Sequence, residues 1–69
     1  MSQKQRISEW MDKHGGITTR EAFVHLGVAR LAARIAEMID AGEQIVKVNE
    51  TGKNRYGETV RYIRYKKAV

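Results

Sequence analysis

The chain has 69 residues, no cysteine and no proline, and a formal net charge of +5 from 13 basic and 8 acidic residues. A chain this short buries only about 60% of the surface that it exposes when unfolded, so we expect a single domain over residues 1–69 with a small core. The composition excludes disulfides and thiolate metal sites. No apolar run is long enough for a signal peptide or a membrane span, so we expect a cytoplasmic chain.

The positive charge is concentrated in the C-terminal third. Residues 1–42 hold six basic and five acidic residues, whereas residues 43–69 hold seven and three. An uneven basic surface strengthens association with polyanions and is typical of chains that bind nucleic acid or another anionic surface. A merely solubilising surface is the alternative. The high isoelectric point of so short a chain favours the polyanion.

A first helix is predicted over residues 2–14. Ser2 and Gln5 form a capping-box pair at its start. One face has helical spacing and is predicted to be buried, with Ile7, Trp10, Met11 and His14. Two glycines end the helix, because glycine adopts the left-handed conformation without a Cβ clash. Ile17 then predicts a short extended piece that could add a third strand to a later hairpin.

A second helix is predicted over residues 19–26, since Thr18 and Glu21 form another capping-box pair. Its inward residues are expected to be Ala22, Phe23 and Leu26. Gly27 supplies a turn into a third helix over residues 29–41, which Gly42 ends.

The third helix is amphipathic. Its predicted apolar stripe consists of Val28, Leu31, Ala32, Ile35, Met38 and Ile39. At 100° per residue, the side opposite this stripe is expected to hold Arg30, Ala33, Arg34, Glu37 and Ala41. The helix is therefore predicted to bury one face and to offer two arginines, one turn apart, on the other.

After Gly42 the hydrophobic period changes from about 3.6 to 2. Residues 44–49 and 60–65 alternate and are rich in β-branched and aromatic side chains, which predicts two strands. The residues between them form a hairpin loop longer than a tight two-residue turn. The inward faces stay open: Val46 and Val48 compete with Ile45, and Ile63 competes with Val60 and Tyr62. The last four residues, KKAV, are expected to fray.

These elements predict an α+β fold with three helices and a small antiparallel β-hairpin. The element order, together with GITTREAFVHLGVARLAARIAEMIDAGEQIV, resembles the small winged helix-turn-helix DNA-binding domains common in bacteriophages and prophages. The resemblance covers nearly the whole chain. It implies a DNA-binding module with residues 29–41 as the recognition helix. We expect this module to bind double-stranded DNA in a bacterial or phage-infected cell, with residues 44–65 as the wing, and to act as a transcriptional regulator or as an architectural factor in excision or replication.

Ten residues are candidates for DNA contact: Thr19, Arg20, Ala29, Arg30, Ala33, Arg34, Glu37, Lys53, Asn54 and Arg55. Arginine can contact guanine bidentately or hold a phosphate, and alanines on the same face let a helix approach the groove floor. A glutamate three residues after an arginine can orient it or accept from a cytosine amino group. The alternative for both arginines is an ion pair on a solvated helix.

The remaining candidates lie at a helix start and at the hairpin tip. Free backbone N–H groups at the start of the second helix favour a phosphate beside Thr19 and Arg20. The basic hairpin tip can lie over phosphates or enter the minor groove. Aromatic side chains can stack on unpaired bases in proteins that bind single strands. However, Trp10 is expected to fill the core, and Tyr62 and Tyr65 point to opposite strand faces, so they cannot form one stacking platform. Duplex binding therefore ranks above binding of single strands.

Several other classes of function are not expected. His14 and His25 have no neighbours at metal-ligand spacing, and no catalytic triad, dyad or phosphate-binding glycine loop is present. We therefore expect no enzyme, no metal, no cofactor, no small-molecule substrate and no membrane contact. A homodimer stays open, since helix-turn-helix domains bind palindromes as dimers. The alternative function is a protein-interaction module, such as a phage-encoded inhibitor of a host nucleic-acid enzyme.

Overall fold

Six elements follow one another in the computed structural model, which describes residues 2–68. They are α1 (Gln3–His14), β1 (Ile17–Thr18), α2 (Thr19–Leu26), α3 (Leu31–Asp40), β2 (Ile45–Lys53) and β3 (Thr59–Lys67). Three helices and a three-stranded antiparallel sheet confirm the predicted α+β class. None of the helices in this part of the chain has the length and apolar composition needed to cross a bilayer.

Both predicted capping boxes are present. The Ser2 hydroxyl accepts from the Gln5 N–H at 3.2 Å, and the Gln5 side chain accepts from the Ser2 N–H at 2.9 Å. Thr18 and Glu21 make the same pair of bonds at 3.2 and 3.0 Å. Gly15 ends α1 at φ +81°, a conformation that L side chains rarely adopt. Local sequence therefore fixes where α1 and α2 begin.

The sheet has the strand order β1-β3-β2. Ile17 lies opposite Tyr65 and Thr18 opposite Arg64, which confirms the predicted third strand. The hairpin strands are longer than predicted, with pairing from Ile45 opposite Lys67 to Lys53 opposite Thr59.

The expectation of a frayed tail is wrong for Lys66 and Lys67, which pair with β2. Lys67 Nζ lies 2.9 Å from Asp12 and donates to Ser8 at 2.7 Å. The Ala68 N–H donates to the Gln44 carbonyl at 2.8 Å. These bonds hold the end of β3 against α1 and β2. The last residue, at position 69, lies outside the described residues.

The core lies between the helices and the base of the hairpin. Its buried hydrophobic members are Ile7, Met11, Ile17, Ala22, Val28, Leu31, Ile35, Met38 and Tyr65. Trp10, Leu26 and Ile45 pack against this cluster and are partly buried. Of the strand residues left open by the pattern, Val46, Val60, Tyr62 and Ile63 are all exposed. Neither competing face is buried along the whole hairpin, because its distal half extends beyond the helices.

The predicted inward faces of α2 and α3 need correction. Phe23 is 64% exposed, and on α2 only Ala22 is fully buried. On α3 the buried stripe is narrower than predicted, consisting of Leu31, Ile35 and Met38, while Ala32 and Ile39 are exposed. The core is too small to cover more than one narrow strip of each helix. The helical spacing of apolar residues therefore predicted a wider buried face on α2 and α3 than the structure has.

The third helix begins at Leu31 rather than at residue 29. Arg30 occupies the N-cap position with φ −124° and makes no side-chain capping bond. The turn before it is closed by a bond from the Val28 N–H to the Ala22 carbonyl at 3.0 Å, and Val28 is buried. Ala29 and Arg30 consequently lie in the exposed turn between α2 and α3.

Candidate functional site

A cleft of ≈ 950 Å³ separates the helices from the hairpin. One wall is the start of α2 and the α2–α3 turn. The other is the hairpin, from residues 52–54 and from residues 60–65. The cleft exists because β1 pairs only with Tyr65 and Arg64, so β3 beyond them has β2 on one side alone.

The cleft combines cationic and apolar side chains. Its cations without an ion pair in residues 2–68 are Arg20, Lys53 and Arg61. Its exposed apolar side chains include Phe23, Val60 and Ile63. A groove with this lining can accommodate a chain that carries both negative charge and apolar surface.

Ion pairing separates the basic residues into two groups. Lys4, Arg34, Arg64 and Lys67 form ion pairs within the described chain, and the other nine basic residues do not. Three of the nine line the cleft, and two more follow lining residues directly in the chain: Arg30 follows Ala29, and Arg55 follows Asn54. Five cations without an ion pair in residues 2–68, which we call the free cations, therefore lie at or beside one concave surface; the Lys53 ammonium among them donates to the Thr59 hydroxyl at 2.8 Å.

The structure brings together five of the ten sequence-predicted site residues. Thr19, Arg20, Ala29, Lys53 and Asn54 all line the cleft. Arg30 is exposed at the start of α3, and Arg55 is exposed at the hairpin tip. Ala33, Arg34 and Glu37 are not among the lining residues and are half-buried on α3.

The expectation that Arg34 lies opposite the apolar stripe is wrong. It is about 60° from Leu31 around the helix axis, at the flank of the buried strip. Its side chain is 30% exposed, with Nη1 3.2 Å from Glu37 Oε1. Lys4 of α1 approaches the same oxygen to 3.1 Å, and Arg34 Nε is buried without a partner. This cluster joins α3 to α1, which is the ion-pair alternative that the sequence left open.

The hairpin tip is organised by Asn54. Its Oδ1 accepts from the N–H groups of Tyr56 at 2.9 Å and Glu58 at 3.0 Å, and its Nδ2 donates to the Glu58 carboxylate at 3.1 Å. Asn54 therefore closes the five-residue loop between β2 and β3. The next two side chains, Arg55 and the 77% exposed Tyr56, project from it.

Arg64 joins the hairpin to α2 through its side chain. Its Nε donates to Glu50 Oε1 at 2.8 Å across the hairpin, and its Nη1 donates to Glu21 Oε1 at 3.0 Å on α2. The hydrogen bond from Arg64 holds the pKa of Glu50 below its ordinary value, against a smaller opposing effect of burial. The same bond raises the pKa of Arg64.

The lowered pKa of Glu50 predicts a pH-dependent stability. Since this carboxyl has a lower pKa folded than unfolded, its contribution is present above the unfolded pKa and is lost as pH falls through the folded pKa. We expect Glu50→Gln to be less stable than the parent at neutral pH, and the difference to disappear in acid, once the pH has fallen below the folded pKa of Glu50. Urea denaturation at several pH values measures this difference.

The matched control for that series is Glu43→Gln, which removes an exposed carboxylate without an ion-pair partner in residues 2–68. A stability difference between parent and Glu50→Gln that stays constant from neutral to acidic pH would contradict the assignment.

Arg61 and Arg64 were not among the sequence-predicted site residues. Both lie within the predicted strand at residues 60–65, but the pattern gave no register for the hairpin, so neither residue could be placed relative to the helices. Extending the strand alternation to Lys53 and Lys67 would have paired Thr51 with Arg61 and Val48 with Arg64. The ion pairs of Arg64 join residues 14 and 43 positions apart, and no local pattern reveals them.

The two histidines lie in the last turns of α1 and α2. Trp10 packs against both, with ring centroids 4.0 Å from His14 and 5.0 Å from His25. Trp10 is partly buried against the core, as predicted. Within residues 2–68 no group of three or more histidine, aspartate and glutamate side chains is arranged to hold a metal ion.

Comparison with known proteins gives one family. The sequence family model of the winged helix-turn-helix domain matches residues 2–67, nearly the whole chain. No curated protein and no solved structure matches the chain.

Proposed function

Because the chain belongs to the winged helix-turn-helix domain family, we propose that it binds double-stranded DNA at specific sequences. The observation that carries the proposal is the cleft between the start of α2, the α2–α3 turn and the hairpin, with five free cations in or beside it. Free guanidinium and ammonium groups at one concave surface are suited to a sugar-phosphate strand.

In the proposed complex, α3 enters the major groove and the hairpin contacts the backbone or the minor groove. The exposed surface of α3 carries Ala32 and Ala36, and these small side chains permit close approach to base edges. One phosphate strand then passes through the cleft. Thr19 and Arg20 contact it at the start of α2, and Lys53, Asn54 and Arg55 contact it from the hairpin.

Arg30 is the base-reading residue that we propose first. It is exposed at the N-terminus of α3, and the N-terminal residues of a recognition helix are the ones that reach base edges. Ala29 and Ala33 lie beside it. Arg34 and Glu37 are paired with one another, so we assign them a supporting place at the edge of the same contact.

The test is selection of bound duplexes from a random pool, followed by titrations of the selected site. We expect Arg30→Ala to lose roughly 1–3 kcal/mol of discrimination at one base pair. The double variant Lys53→Ala with Arg55→Ala is the control, and it should weaken all sequences alike. No enriched sequence from the pool, or equal loss on every duplex from both variants, would reject base reading by Arg30.

The five free cations also set the expected salt dependence. If each neutralises one phosphate, the logarithm of affinity falls with the logarithm of salt concentration at a slope of about −4 to −5. A slope near zero would reject the phosphate contacts. We further propose that the protein regulates transcription from phage or prophage DNA. The selected sequence allows this role to be tested, because a promoter would have to contain it.

A protein-interaction module is the second candidate function. It is favoured by Phe23 and Val24, which are 64% and 61% exposed on neighbouring positions of α2. Two large apolar side chains exposed at adjacent positions can contribute to an apolar patch of the kind that marks an interface. The duplex selection described above separates the two functions. If the protein retains no duplex at any salt concentration, DNA binding is rejected in favour of the protein-interaction function.

A further inference from the structure

We propose that Arg64 is a positioning residue that fixes the angle between the hairpin and the helix-turn-helix and so keeps the cleft open for DNA. This inference rests on the proposed function for its purpose, but its structural part can be tested without DNA. The family match assigns no role to this residue.

The first argument is the set of Arg64 bonds. Its guanidinium bridges β2 and α2, through Glu50 Oε1 at 2.8 Å and Glu21 Oε1 at 3.0 Å. The Glu21 oxygen also accepts from the Thr18 N–H at 3.0 Å in the capping box of α2. This carboxylate oxygen therefore links the capping box of α2 to the hairpin through the Arg64 side chain, in addition to the backbone pairing of β1 with β3. An arginine held by two carboxylates is also the lining cation least available for a phosphate.

The second argument is the support beneath the Arg64 side chain. Gly16 is buried, and a Cβ there would lie 2.9 Å from both Cγ and Cδ of Arg64. The arginine stem thus lies directly over the backbone of Gly16, and no larger residue fits without moving it. Beyond this point the hairpin leaves the core, since Tyr65 is the buried residue of β3 and Ile63 is exposed. Arg64 sits at the boundary between the supported and unsupported parts of β3.

Two variants test this role in different ways. Arg64→Gln removes the guanidinium. Gly16→Ala leaves every charge in place but forces the arginine stem aside, together with the Lys66 stem, whose Cγ would lie 3.0 Å from the new Cβ. Gly16 has no positive φ that would strain alanine. The control is Arg61→Gln, which makes the same charge change on β3 at an exposed residue without an ion pair in residues 2–68.

The first measurement is a distance between two spin labels. The chain has no cysteine, so Glu9→Cys on α1 and Tyr56→Cys at the hairpin tip give unique attachment points, both exposed. We expect Arg64→Gln and Gly16→Ala to give broader distance distributions than the parent, and Arg61→Gln to give the same width as the parent. Circular dichroism of each labelled protein establishes that it is folded.

The second measurement is affinity for the selected duplex at several salt concentrations. We expect Gly16→Ala to bind roughly three- to tenfold more weakly with the parental salt slope, because an unfixed hairpin must be ordered on binding. Arg61→Gln should lower both the affinity and the steepness of the slope, by about one unit.

Label-to-label distance distributions as narrow as the parental one in both Arg64→Gln and Gly16→Ala would overturn the positioning role. So would a loss of salt slope in Gly16→Ala, because displaced Arg64 would then have been a phosphate ligand. If the parent binds no duplex, the proposed function fails, and the label distances still decide whether Arg64 fixes the hairpin.

Discussion

Replacing Ile35 by alanine is expected to leave a large fraction of the protein unfolded at 25 °C. Ile35 is fully buried at the centre of the α3 strip. Truncating a buried isoleucine costs about 2–5 kcal/mol. A single core in a chain of this size supplies about 3–5 kcal/mol in total. The two ranges overlap, so one substitution removes most of the stability.

The matched control is Ile39→Ala, one turn further along the same helix at a residue that is 41% exposed. We expect it to cost less than about 1 kcal/mol. Urea denaturation followed by circular dichroism and by the fluorescence of Trp10, the single tryptophan, compares the two variants. A loss from Ile39→Ala as large as the loss from Ile35→Ala would mean that α3 is rotated from the orientation described, so that Ile39 is also turned toward the core.

Neutralising two cleft cations is expected to produce the largest change in DNA binding. Arg20 and Arg61 lie on opposite walls of the cleft and form no ion pair within residues 2–68. If each contacts one phosphate, Arg20→Gln with Arg61→Gln should reduce the steepness of the salt slope by about 2. At 0.1 M salt this corresponds to roughly 60-fold weaker binding.

The control for this pair is Arg6→Gln with Lys13→Gln, which removes the same charge from α1, outside the cleft. We expect it to change the salt slope by much less, because these side chains are not among the residues that line the cleft. Fluorescence anisotropy of a labelled duplex at four or five salt concentrations measures both slopes. Similar slope changes from the two pairs would mean that binding depends on overall charge rather than on the cleft.

Much of the fold could be predicted because its signals are local. The starts of α1 and α2 were predicted from the capping boxes at Ser2 and Thr18, and their ends from the glycines that follow each helix. Each of these signals lies within three residues of the helix end that it sets, and each prediction was confirmed. The strand at Ile17 was also predicted, as a short extended piece before the cap of α2 that could add a third strand to the hairpin. These features depend on backbone geometry, which the nearby sequence determines.

The burial of individual faces was harder to predict. Phe23 and Ile39 are as apolar as the residues that are buried, and helical spacing alone cannot tell how wide an arc the neighbouring elements cover. The same holds for Arg34, whose exposure depends on Lys4 and Glu37 as well as on its own position. The candidate site was predicted in part for this reason: its helical and hairpin residues were named, but not the cleft between them.

The hairpin has two mechanically different halves. Near Tyr65 and Ile45 it is anchored by the core, whereas the part that carries Arg55 and Tyr56 is held mainly by its own cross-strand bonds and the Asn54 loop. Because the hairpin is anchored at one end only, its displacements are largest at the tip. A partner that binds the tip must therefore offset the conformational entropy that the tip loses on binding. A shorter hairpin would lose less entropy but would extend less far from the core.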